Sequence, residues 1–151
     1  MDYIVTAVRE RAPFVEYLNY HIPELIIVWD KYRDPMETFM RAWGENPSNA
    51  SLRFQDDIIL TENFLEKAHS IIDQRPNDVI QFFSMRKADT EIGSRWESGG
   101  NWIGNLCHYL PAGMSEEIYN FGLTWGGLLA NPTADDLLMR DYFKSKKIKY
   151  F

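Results

Sequence analysis

Short, unbroken apolar runs alternate along the chain with longer stretches of helical period, and this alternation predicts the elements. Residues 3–8 form the first apolar run, a polar turn follows, and a helical pattern continues to Pro23. "ELIIVWD" (24–30) is a second run, β-branched and short enough to be a buried strand. In "DPMETFMRAWGENP", Asp34 stands as an N-cap with Pro35 at the first helical position, and Gly44 and Pro47 are stop signals. "SLRFQDDIIL" (51–60) reads as the third strand. "NFLEKAHSIIDQRP" (63–76) reads as an amphipathic helix, with Asn63 and Glu66 in a capping-box pattern. Strands over 78–85 and 102–111 enclose a polar stretch, 86–101. "SEEIYNFGL" then reads as a short helix, "TWGGLLANP" as a loop, "TADDLLMRDYFKSKK" as a helix and "IKYF" as a terminal strand.

Strand and helix therefore alternate through most of the sequence. The expected fold is α/β, a mostly parallel, mixed sheet flanked by helices, in a single domain over residues 1–151. A chain of 151 residues can bury one substantial core and not two comfortable ones. In such a sheet ligands bind beyond the carboxyl ends of the strands, where Arg9, Asp30, Asp56, Asp57 and Arg86 all fall in this register.

Composition changes this picture in three ways. A formal net charge of −6 argues against duplex DNA or an anionic membrane held mainly by charge. The lysines at 144, 146, 147 and 149 read best as a solvated helix end favoured by the helix dipole. The single cysteine, Cys107, excludes an internal disulfide and any cysteine-rich metal site. With no apolar run long enough to span a bilayer and no signal peptide at its start, the chain is expected to be soluble and cytoplasmic.

The chemistry concentrates in Asp56 and Asp57, two adjacent acids set before "IIL" in an apolar run. A turn pair with one carboxylate capping a backbone amide is the simple account. Against it, like charges this close raise each other's pKa unless a cation neutralises them. Oxygen ligands at a strand end also suit a hard dication that keeps open positions for a diphosphate.

"LRFQDDIILTENFLEKAHSII" resembles the strand, acidic motif and following helix of nucleotide-sugar glycosyltransferases with the A-type fold, whose motif reads Glu-Asp-Asp or Asp-x-Asp. The order of elements is similar across nearly the whole chain, including "CHYLP" with its helix and the late "Asp-Asp-x-x-Leu" of "TADDLLMRDYF". The resemblance implies a metal-dependent glycosyltransferase that moves a sugar from a nucleoside-diphosphate donor, most often a UDP-sugar, to an acceptor hydroxyl with inversion. Retention and an acceptor on hydroxymethylated DNA bases are alternatives, as is a degenerate domain that binds a nucleotide without turnover. It assigns Asp57 to the metal, Mn2+ or Mg2+. Ala7, Val8, Arg9, Asp30 and Asp56 are assigned to the donor, and Asp136 or Asp135 becomes the general base. Gln55 stands where such families carry an acid, and the sequence ends before the segment in which many relatives supply a metal-binding His.

The remaining candidates come from loops. Arg86 and Arg95 could meet phosphates, and Trp96, Trp102 and Trp125, in Gly-rich polar segments, are the expected lid or acceptor-stacking residues. Asp135 and Asp136 also fit the first turn of a helix capped by Thr133. His21, His69 and His108 share no ligand spacing.

Overall fold

The computed structural model describes residues 1–84, 91–129 and 134–151, with the side chains of Leu128 and Leu129 left aside. Arg86 and Thr133 lie outside the described residues. Seven strands and five helices are named here: β1 (Asp2–Ala7), α1 (Ala12–His21), β2 (Leu25–Trp29), α2 (Pro35–Gly44), β3 (Ser51–Gln55), α3 (Phe64–Gln74), β4 (Ile80–Gln81), β5 (Glu97–Ser98), β6 (Cys107–Leu110), α4 (Met114–Gly122), α5 (Asp135–Lys146) and β7 (Lys149–Tyr150). The main sheet has the order β2-β1-β3-β6-β4. β1 runs parallel to both β2 and β3, while β6 is antiparallel to β3 and to β4. β5 and β7 form a separate antiparallel pair. The architecture is thus α/β with a mixed sheet flanked by helices.

Strand period decides which residues face which layer. Val5, Ala7, Leu52, Phe54, Cys107 and Tyr109 point to one face, where α1 brings Val15 and Leu18 and α3 brings Ala68 and Ile72. On the opposite face α2 packs Ala42 against Ile4 and Val28. There too Trp43 of α2 and Ile118 of α4 join Leu138, Met139, Tyr142 and Phe143 of α5. The second face also carries Thr6, Ser51, Arg53 and His108, all buried. Polar residues within a core layer need partners. Arg53, paired in register with His108, donates to Ser51 Oγ and to Ser115 Oγ of α4, each at 2.9 Å.

Local chemistry accounts for some of the boundaries and not for others. Asp34 caps α2 as expected, its carboxylate accepting from the Glu37 N–H at 3.1 Å. Asn63 does not cap α3: it sits in the left-handed region at φ 56, and its side chain makes no capping bond. The expected capping box is therefore not formed. β3 also stops at Gln55, short of the strand expected over 51–60. Asp56 and Asp57 form a turn, and Ile59 beyond it is 73% exposed. "IKYF" gives a strand, but β7 pairs with β5 and meets the main sheet's end through a parallel bridge from Tyr150 to Val79 and backbone hydrogen bonds of Phe151 with Val79 and Gln81.

Candidate functional site

The parallel arrangement brings the carboxyl ends of β1, β2 and β3 to one edge. After β1 the chain builds β2 on one side, then returns to place β3 on the other. A crevice at such a point of reversal is where α/β sheets bind ligands. Here a cleft of about 170 Å3 is lined by Thr6, Ala7, Val8, Arg11, Asp30, Pro35, Thr38, Phe39, Gln55 and Asp56. Four of the residues expected to contact a donor, Ala7, Val8, Asp30 and Asp56, therefore line the same cleft.

Asp56 is the anchor of this cleft. It is 3% exposed, and one carboxylate oxygen accepts the Val8 N–H at 2.7 Å across the gap between β3 and β1. The other accepts from Arg11 Nη1 at 2.9 Å. A carboxylate this deeply buried requires such partners, because bare burial of the charge is costly. Asp57, next along the turn, has a side chain 41% exposed and meets the same Arg11 nitrogen at 3.2 Å. The hydrogen bond and charge of Asp56 raise the Arg11 pKa further above its ordinary value, so the guanidinium stays charged. Arg11 belongs to a 3-10 turn over Arg9–Arg11 that leads into α1.

Asp30 holds the rim of the cleft. Its N–H donates to the Ala7 carbonyl at 2.7 Å, and one side-chain oxygen accepts from the N–H groups of Tyr32 and Asp34. Arg9 is not part of the lining; its guanidinium lies 4.2 Å from the centre of the Trp29 ring. The buried Thr38 hydroxyl, which does line the cleft, has no hydrogen-bond partner among the described residues.

A second, polar seam runs inward from the cleft and was not visible in the sequence. Thr6 and Phe39 line the cleft and also a small buried void of about 10 Å3 bounded by Arg53, Asn105 and His108. Burial pulls the Arg53 pKa down to about 9. Burial, with the nearby Arg53 charge, pushes His108 down to about 3, so its ring is neutral. Asn105 links the seam to α5. Its side-chain oxygen accepts from Trp102 Nε1 at 2.7 Å, and its Nδ2 donates to Asp135 Oδ2. Burial raises Asp135 to about 7, opposed by the Asn105 bond and reinforced by Asp136. Asp135, at the start of α5, is thus an acid with altered proton chemistry. Asp136 Oδ1 accepts from the Leu137 N–H, a local capping contact.

The tryptophans separate. Trp102 is not a lid residue: it is 2% exposed and packs edge-on against His108, Phe143 and Tyr150. Trp125 is likewise buried, its indole N–H donating to Asp141 at 3.1 Å. Neither ring is available to stack on a sugar in this arrangement. Trp96 is exposed and leans on Phe151. Arg95 pairs with Glu97 at 2.6 Å. His69 shares a 2.7 Å hydrogen bond with the Tyr3 hydroxyl.

The donor set for a dication is thin. Both Asp56 oxygens are engaged, one Asp57 oxygen is on Arg11, and no group of three or more His, Cys, Asp or Glu converges among the described residues. With Arg11 in place these carboxylates do not form a metal site. Among the described residues no helix is long and apolar enough to cross a membrane. Comparison of the chain with models of protein families, with curated proteins and with solved structures gave no match.

Proposed function

We propose that the cleft between β1 and β3 binds a nucleoside-diphosphate sugar and that the protein is a glycosyltransferase of the A-type fold. The observation that carries this reading is the aspartate turn itself. Asp56 closes the reversal point of the sheet by accepting the Val8 N–H, which puts a fixed carboxylate in the same cleft as Asp30. The Asp30 carboxylate on the rim of the cleft suits the hydroxyl and N–H donors of a ribose and a base. The diphosphate would then lie toward the turn and the Arg11 guanidinium. The sheet order, with two parallel neighbours of β1 and one antiparallel strand beyond β3, supports the same reading.

In the transfer, an acceptor hydroxyl oxygen bonds to the anomeric carbon as that carbon's bond to the diphosphate oxygen breaks. The hydroxyl proton passes to a carboxylate, and the diphosphate leaves with the bonding electrons. Asp135 or Asp136, at the start of α5, is the candidate base; Asp135 is the one tied through Asn105 to the polar seam that Thr6 and Phe39 join to the cleft. Displacement with inversion is the course assigned. No step is routed through a dication, since the donors present do not assemble one.

A melting screen of nucleotide sugars tests this: the fitting donor raises the melting temperature, and Asp30→Ala abolishes the rise. A second reading, nucleotide binding without turnover, is favoured by the thin donor set at Asp57. Release of free sugar or glycosylated acceptor from the bound donor decides between them. An acceptor in modified DNA would show steep salt dependence, which the net charge of −6 disfavours.

A further inference from the structure

We propose that Arg11 is the resident cation of the cleft, recognising a diphosphate group directly and doing the work that the sequence resemblance gives to a dication. The inference deepens the donor reading above and rests on it for the identity of the natural ligand.

Three observations lead there. Arg11 bridges the aspartate pair with a single nitrogen, Nη1, at 2.9 Å to Asp56 and 3.2 Å to Asp57. It therefore sits where a metal ion shared by the two carboxylates would sit. Second, the two contacts are unequal. The Asp56 bond is short and its acceptor buried. The Asp57 contact is longer, between side chains 47% and 41% exposed, and such exposed pairs are held weakly. An incoming anion can replace Asp57 while Asp56 keeps the side chain anchored. Third, no hydrogen bond from Nε or Nη2 to another described residue accompanies these contacts. Those donors form the planar edge that matches two phosphate oxygens, and Arg11 lines the cleft.

The charge arithmetic fits this division of labour. Asp56 is already satisfied by the Val8 N–H and Arg11, so its field in the cleft is largely spent. Asp57 is exposed to solvent, which screens its repulsion of the ligand. The role also explains why a buried aspartate is tied to a residue 45 positions away in sequence: the tie holds one end of the guanidinium still.

The test uses inorganic pyrophosphate, which carries the diphosphate chemistry without assuming a base or a sugar, titrated by calorimetry into the whole chain. In EDTA the wild type binds pyrophosphate more tightly than orthophosphate, and adding Mn2+ changes that affinity by less than about threefold. Arg11→Met weakens pyrophosphate binding roughly 10–100-fold, the range of a lost charge-assisted bond. Arg11→Lys, which keeps the charge and loses the fork, falls between. Melting curves and unchanged near-ultraviolet dichroism show that the variants are folded. The proposal is overturned if wild type binds pyrophosphate only with Mn2+, or if Arg11→Met binds it as wild type does. Pyrophosphate bound through Arg11 with no nucleotide sugar in the screen would leave this inference standing and remove the donor reading instead.

Discussion

Replacing Asp135 with Asn separates the energetic cost of a buried acid from its chemical use. The Asp135 carboxyl is pushed from 3.8 to about 7, chiefly by burial. In the folded state it therefore holds a proton that the unfolded chain releases between those two values. Folding binds protons across that window, so this group makes stability fall as pH rises from about 4 to 7, with a plateau beyond. The full displacement corresponds to an opposing contribution on the order of 4 kcal/mol on the alkaline side. Asparagine keeps an oxygen for the Asn105 N–H but loses one further acceptor at the helix start, costing about 1 kcal/mol. Asp135→Asn should then be more stable than wild type by about 1–3 kcal/mol at pH 8 and equal or slightly weaker at pH 4.5. At about 2–4 °C per kcal/mol for a domain of this size, calorimetric melting should separate the two proteins by several degrees at pH 8. Sugar transfer by the same variant should fall by two orders of magnitude or more if the group is the base. A melting difference that does not change with pH, or a variant less stable at pH 8, would refute the argument that the carboxyl is held protonated.

Three further outcomes follow from the packing. His108 is lowered from 6.5 to about 3, so the unfolded chain binds a proton the native one refuses; stability present at neutral pH should be lost as pH falls below 6.5. His108→Phe should flatten urea-melt stability between pH 4 and 6. Gly99→Ala should cost about 2 kcal/mol or more, because a Cβ there would meet Phe143 Cβ at 2.4 Å and the Ile148 carbonyl oxygen at 2.6 Å, both on backbone-fixed positions. Trp102→Ala should cost about 3–5 kcal/mol in denaturant melts, and exposed Trp96→Ala about 1 or less.

What the sequence displayed and what it hid divide along sequence separation. Asp34 with Pro35, a cap and a first-turn residue, lie side by side in the chain, so α2 was legible with its start. The runs that became β1 and β2 were legible because their central residues are apolar on both faces, buried or half-buried. The aspartate pair stood out in the sequence, and Ala7, Val8 and Asp30 line one cleft with Asp56 because parallel strands end together. Arg11 was passed over because its partners stand 45 and 46 residues away, with nothing local to mark it. Trp102 was misread for the same reason: a Gly-rich neighbourhood looks open in sequence, yet Phe143 and Tyr150 arrive from the far end of the chain to enclose it. Asn63 and Glu66 matched a capping pattern, but Asn63 adopts a left-handed backbone instead of the extended one a capping residue takes, and its side chain makes no capping bond. Arg53 and His108 face each other only once β3 and β6 pair, so the buried seam exists in register and not in spacing.

The most direct measurement is the melting temperature of wild type and Asp56→Asn across a panel of nucleoside-diphosphate sugars at matched ionic strength. The account predicts that one donor, at a hundredfold excess over its dissociation constant, stabilises wild type by about 2.7 kcal/mol, a rise of roughly 5–11 °C, and gives Asp56→Asn a much smaller rise. No shift with any donor, or the same shift in both proteins, would contradict it.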